Sequence, residues 1–321
     1  MIDETRIREN LEVISFPRLS GTDHEENAFS IVKNKIEQLN LEPSVQNFSF
    51  TSFYPRIYQK VVFVLSFLAL LILYLNFEGI FTYLSLIIIL TIFLPFLIIT
   101  RKPDKIRIGK EKISHNLYVK IPGNLESSEV NNDQDNDRSN FLFLSHLDSK
   151  GQRLRTNYRV FFFKTWINSL IVCSIVIFIK NLILVQYSYW LLIIGVFPLI
   201  INFIAVIVLC YNTTNNKSPG AIDNASGIAC VLELLNFYLD SKNRLKNYNL
   251  WFIFTGAEEC GTMGIRHLYE KIKHLDRTKT FFLLFDTIGG NIDVITGKRG
   301  AFFLKILKTS QLDYISPKEL N

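Results

Sequence analysis

Residues Leu250–Glu259 read LWFIFTGAEE. A short, unbroken apolar run closed by a turn signal is the mark of a strand buried on both faces. This one closes at Thr255-Gly256-Ala257 and then presents two adjacent acids, Glu258 and Glu259. The same grammar recurs on either side. Phe141–Leu144 runs straight into Ser145-His146-Leu147-Asp148, and Phe281–Phe285 ends at Asp286. Between them the turn-rich loop Ser218-Pro-Gly-Ala-Ile-Asp-Asn-Ala-Ser-Gly227 opens a helix with Ile228, Val231, Leu232, Leu234 and Leu235 as its apolar positions. A second helix is predicted near Gly264–Lys273. Alternating strands and helices predict an α/β fold, a mixed sheet flanked by helices. In such sheets ligands bind beyond the carboxyl ends of the strands, which is where these acids sit.

Upstream, two amphipathic helices are expected, the second from Ala28, Ile31, Val32, Ile36 and Leu39 after a break at Ser20-Gly21-Thr22. Ser44–Phe50 alternates as a strand, and Asn116–Ile121 is another, closed by Pro122-Gly123. Residues 125–140 are polar and low in complexity, a loop by composition.

The chain has 321 residues, of which 49% are hydrophobic, and a mean hydropathy of +0.21. Two apolar regions, 61–99 and 166–211, account for that value. About 20 apolar residues span a bilayer, and buried core helices rarely carry runs that long. Each region holds two spans with a tight turn, near 61–77, 79–99, 166–185 and 189–211. Residues 1–60, 100–165 and 212–321 then form one α/β domain, interrupted by two transmembrane hairpins at 61–99 and 166–211. Fourteen Lys and Arg flank the four spans on the domain side, against Lys180 alone in the opposite turns. That bias places the domain in the cytosol, on an integral multi-pass membrane protein. The polar start MIDETRIREN is not a cleavable signal. The four cysteines have neither zinc-finger spacing nor the pattern of a disulfide framework. The net charge of +6 lies largely beside the apolar segments. Without an aromatic-interleaved basic patch it does not point to nucleic acid. Lipid is the partner these segments lead one to expect.

His146, Asp148, Asp223, Glu258, Glu259 and Asp286 thus gather at strand ends and at one helix start. Imidazole and carboxylate donors suit a divalent metal, and several acids at one sheet edge repel one another without a cation. Each piece alone is weak: a lone Glu-Glu pair is usually solvated, and Asp223-Asn224 could be a turn and helix cap. Asn224-Ala225-Ser226 also matches a glycosylation sequon. Their ordered recurrence is what carries weight.

FLFLSHLDS, SPGAIDNASGIACVLELL, WFIFTGAEECGTMG and FFLLFDTIGG, in that order, resemble the successive motifs of the zinc-dependent aminopeptidases with co-catalytic metals. That group includes glutaminyl cyclases and metal-free relatives. The opening FPRLSGTDHEENAFSIVKNKIEQLNLEP and the strand NLYVKIPG fit the same layout. The resemblance implies a zinc-exopeptidase-like fold, two zinc ions and a peptide substrate. His146 and Asp286 would ligate the first ion, Glu259 the second, and Asp223 would bridge them. Asp148 would orient His146 by accepting its other ring N–H. Glu258 would be the general base that takes the proton of the attacking water. The resemblance also puts a histidine ligand of the second zinc downstream of the Asp286 position, and none follows Asp286 here. His267 and His274 are expected to be surface residues. The second site would then be one ligand short and the chain as given inactive as an aminopeptidase. The rival expectation is a catalytically inactive membrane scaffold or substrate-binding relative. A transporter is disfavoured, because the apolar spans lack inward acids.

Overall fold

The computed structural model describes residues 2–75, six residues within 84–94, and residues 102–123, 138–245 and 247–288. Helices α1 (Glu4–Ile14) and α2 (Asp23–Glu37) precede strand β1 (Ser44–Thr51). A helical turn, Tyr54–Tyr58, leads into α3 (Gln59–Leu75). Strands β2 (Glu111–Ile121), β3 (Ser139–His146) and β4 (Gly151–Gln152) follow, then the long helices α4 (Thr156–Phe178) and α5 (Ser188–Tyr211). After β5 (Thr214–Asn215) come α6 (Ser226–Leu239), β6 (Tyr248–Thr255), α7 (Met263–Ile272) and β7 (Thr280–Leu284).

The main sheet has the order β1-β2-β6-β3-β7. The strand that opened the sequence reading, β6, is its middle. It runs parallel to β3 and antiparallel to β2, and β3 runs parallel to β7, so the sheet is mixed. Side chains alternate across a strand, and here both faces are covered. Phe141, Phe143, Phe252 and Phe254 pack with Ile14, Val32 and Ile36 and with Ile228, Val231 and Leu235 of α6. Leu142, Leu144 and Ile253 pack on the opposite face under Leu268 and Ile272 of α7. That is why these strands read as continuous apolar runs rather than alternating ones. A small antiparallel pair, β4 with β5, ties the chain entering α4 to the chain leaving α5.

Among the described residues, three helices are long and apolar enough to cross a membrane: Tyr54–Leu75, Thr156–Asn181 and Ser188–Tyr211. At 1.5 Å per residue, 22 residues extend about 33 Å, enough for a hydrocarbon core of about 30 Å. Two of them begin earlier than the apolar windows suggested, at 54 rather than 61 and at 156 rather than 166. The helices continue through Arg56, Lys60, Arg159 and Lys164, whose polarity ends the apolar window without ending the backbone hydrogen bonding. The span expected at 79–99 and the loop at 125–137 lie outside the described residues, apart from scattered helical positions at 84–94.

Candidate metal centre

His146 is the last residue of β3, and its backbone is locked in register opposite Thr255 of β6. Its imidazole is buried to 2% exposure. Nε2 lies 3.1 Å from an Asp223 oxygen and 3.5 Å from an Asp286 oxygen. One donor atom from each of His146, Asp223 and Asp286 falls within 4.8 Å of the others. Burial works against charge on the ring, but hydrogen bonds to Asp148, Asp223 and Asp286 outweigh it and hold the imidazole pKa well above its usual value. A ring in that field collects a cation. One imidazole and two carboxylates converging on a point fit a zinc ion.

Each ligand is placed by structure distant in sequence. Asp286 follows β7, and the neighbouring Phe285 backbone N–H donates to the Leu144 carbonyl at 2.8 Å. Asp223 is aimed by its neighbour Asn224, whose Nδ2 donates to Ser145 Oγ and to the Phe285 carbonyl. Asn224 Oδ1 accepts from Gly227 N–H at the start of α6 at 3.1 Å. Asn224 therefore does serve as a cap, and that work is what frees Asp223 to face His146. Its amide is wholly buried and cannot accept a glycan in the folded chain.

Asp148 meets His146 Nδ1 through both its backbone carbonyl and its carboxylate. His146 Nδ1 sits closer to the Asp148 backbone carbonyl, at 3.0 Å, than to its carboxylate, at 3.4 Å. The carboxylate also accepts from the backbone N–H groups of Glu258 and Glu259, both at 3.0 Å, and from Ser20 Oγ at 2.5 Å. Asp148 thus fixes the loop that carries the acid pair. The carbonyl lies nearer for a geometric reason: in a His-Leu-Asp turn, it already reaches the ring nitrogen.

A second buried acid, absent from the sequence reading, acts on the same loop. Glu25 of α2 accepts from Ala257 N–H and Ser114 Oγ, both at 2.8 Å, and from Gly21 N–H at 2.5 Å. Burial, with Asp148 adding to it, pushes this carboxyl up to about 8. Ala257 holds a positive φ of 50°, a conformation that costs about 1–3 kcal/mol and persists only when its surroundings enforce it. Glu25 and Asp148 supply that enforcement. Arg18, fully buried, bonds the carbonyls of Leu147, Pro219 and Gly220. It joins the His146 turn to the Asp223 loop. The only local hint of either residue was the segment FPRLSGTDHEE, because their partners lie far along the chain.

Glu258 is half-buried and pushed up to about 7. Burial is the main cause; Asp148, Glu259 and Asp286 add to it, and His146 opposes it. Glu259 is also raised by burial, against the pull of Lys150, whose ammonium lies 3.1 Å from Oε2. Among the described residues, Glu259 is not drawn into the group formed by His146, Asp223 and Asp286. His267 is not a surface residue. Its ring stacks on Phe48 at 4.6 Å and its Nε2 is buried, because α7 lies on the sheet. His274 is exposed, as expected.

With this geometry in view, the comparisons fall into place. Residues 205–306, which include Asp223, Glu258, Glu259 and Asp286, match the model of Peptidase family M28. No curated protein matches the chain. Among solved structures, an aminopeptidase from Aneurinibacillus sp. strain AM-1 aligns over 90% of this chain and 71% of its own, at 14% identity and a TM-score of 0.46. BSAP, a zinc aminopeptidase from Bacillus subtilis, aligns over 98% of this chain and 79% of its own, at 12% identity and a TM-score of 0.45. Residues 205–306, the part of the chain that carries Asp223, Glu258, Glu259 and Asp286, are thus similar to Peptidase family M28.

Proposed function

We propose that the protein is a membrane-anchored zinc metallopeptidase that removes N-terminal residues from peptides. The observation that carries the reading is the convergence of His146, Asp223 and Asp286, with Glu258 half-buried beside them. Zinc bound there would supply a Lewis acid for the scissile carbonyl and for water. The protein's own residues do the rest. Glu258 takes the proton of the attacking water and returns it to the leaving amine. Asp148 and Glu25 hold the backbone of 257–259 so that Glu258 stays aimed. A second ion would draw on Asp223 and Glu259, and Glu259 would exchange Lys150 for it. The helices α3, α4 and α5 anchor the domain, and the basic residues at their domain ends favour a cytosolic placement.

The test is turnover of aminoacyl-nitroanilides by the purified chain with zinc supplied, which requires that His146, Asp223 and Asp286 suffice without the histidine expected after Asp286. Glu258→Gln keeps the shape but cannot accept the proton. The expected loss is about 10²–10⁴-fold, with zinc content retained. Turnover unchanged in the variant would remove Glu258 as the base.

A further inference from the structure

The domain-side ends of the three long helices converge on the loops that carry the metal centre. Tyr54, the first residue of one span, packs its ring against Gly261, just past the Glu258-Glu259 pair. At the start of the second span, Arg159 of α4 is within electrostatic range of Glu259. It lies three residues into the helix, about 4.5 Å along its axis. Lys150 holds Glu259 at 3.1 Å from the short segment joining Asp148 to α4. At the end of the third, Asn212 accepts from Leu154 N–H at 3.1 Å and donates to Gln152 at 3.0 Å. The chain then continues directly into the Asp223 loop. Arg153 lies over the Tyr211 ring at 4.4 Å, which closes the collar.

Two consequences follow for position. Arg159, which interacts with Glu259, precedes the apolar stretch beginning at Trp166 by about 10 Å along the helix, so the site sits beside the headgroup zone of that span. The headgroup zone on one side is only about 5–8 Å deep. The flanking groups also suit that height. Arg56, Lys60, Arg153, Arg155 and Lys164 can meet anionic headgroups, while Ile222, beside Asp223, is 58% exposed and Phe161 60% exposed.

We infer that the substrate is the N-terminal tail of a membrane-inserted chain, cut where it leaves the bilayer. This rests on the peptidase reading and on α3–α5 spanning the membrane. A freely soluble peptide gains nothing from a site pressed to the surface. A tail tethered by its own span arrives with its amino end at the right height and at high effective concentration.

The experiment uses the full chain with zinc in liposomes and three peptides sharing one Leu-Ala N-terminus. One is free. One joins a transmembrane segment through about five residues, a reach of at most about 18 Å. One joins it through about twenty. The expected result is cleavage of the short-spacer peptide at least as fast as the long, with both at least about tenfold above the free peptide in kcat/KM. Solubilising the liposomes in excess detergent, so that enzyme and peptide occupy separate micelles, removes the advantage. Cleavage of the free and long-spacer peptides with the short-spacer peptide left intact overturns the proposal, because the site would then stand away from the surface. Equal rates on all three overturn it as well. No cleavage of any peptide removes the peptidase reading itself, and this inference with it.

Discussion

Helix α6 and helix α5 use the same kinds of residue in opposite ways. In α6, Ile228, Val231 and Leu235 are fully buried against the sheet. In α5 the buried positions are Gly195, Asn202, Ala205, Val206 and Leu209, while Phe197 is 70% exposed and Trp190 64%. Water sorts the first helix, driving large apolar side chains inward. It cannot have sorted the second. Gly195, Ala205 and a hydrogen-bonding Asn202 inside, with Phe197 and Trp190 outside, suit packing in lipid, where close backbone approach and hydrogen bonds hold helices together. Gly195 sits against the Tyr74 ring of α3, and Asn202 Nδ2 donates to the Trp166 carbonyl and to Ser169 Oγ of α4. On the proposed membrane anchoring, the chain folds in two solvents, with its metal centre at their boundary.

The contrast is breakable by mutation. The largest effect is expected on the water side. Phe252→Ala empties a site enclosed by Phe143 and Tyr238 and is expected to cost about 3–5 kcal/mol. A thermal melt of the detergent-solubilised chain checks it, and an unshifted midpoint would mean that the sheet core is not what holds the domain. Next is Ile200→Asp, in the middle of α5 and 51% exposed. In water an exposed substitution stays within about 0.5 kcal/mol, but in a bilayer it costs about 2.5–3.5 kcal/mol. Loss of the protein from the carbonate-washed membrane fraction is expected. Full retention would favour a water-facing helix and erase the comparison.

Smaller effects sharpen it. Glu25→Gln turns an acceptor of three hydrogen bonds into a group that must point a donor at Gly21 or Ala257 N–H. About 1–3 kcal/mol of domain stability is expected to go, while membrane integration is unaffected. Peptidase activity should fall with it, because Ala257 loses the contact that enforces its backbone. Asn202→Leu acts in the opposite region. It is expected to loosen the helix bundle by about 0.6–1.7 kcal/mol and to leave zinc content untouched. A variant of either kind that moved both readouts together would show that the two regions fold as one unit.

What could be read from the sequence follows the same divide. β3, β6 and β7 were legible because strands buried on both faces write themselves as apolar runs, and the acids at their ends marked the site. β2 begins at Glu111 rather than Asn116, since Lys112, Ser114 and His115 carry no apolar pattern; their pairing with Phe50, Phe48 and Asn47 of β1 supplies the strand. The helix starts at Tyr54 and Thr156 were hidden because hydropathy reports contact with lipid rather than helical backbone. Arg18, Glu25 and Lys150 were invisible for another reason. Each acts through partners 89–232 residues away, as Glu25 does in accepting from Ser114 and Ala257 and Lys150 in donating to Glu259. No local pattern encodes such a partner. For Asp148, whether the carbonyl or the carboxylate lies nearer the His146 ring depends on turn geometry that spacing does not specify.

The central claim is that His146, Asp223 and Asp286 form a zinc site at the end of the central strands. It is tested most directly by metal analysis of the purified, folded chain beside His146→Ala. The account predicts at least one zinc per chain in the first protein, and in the second its loss with helix content and membrane integration unchanged. A folded parent chain that holds no zinc after incubation with it, or a variant that keeps the parent's full complement, would contradict it.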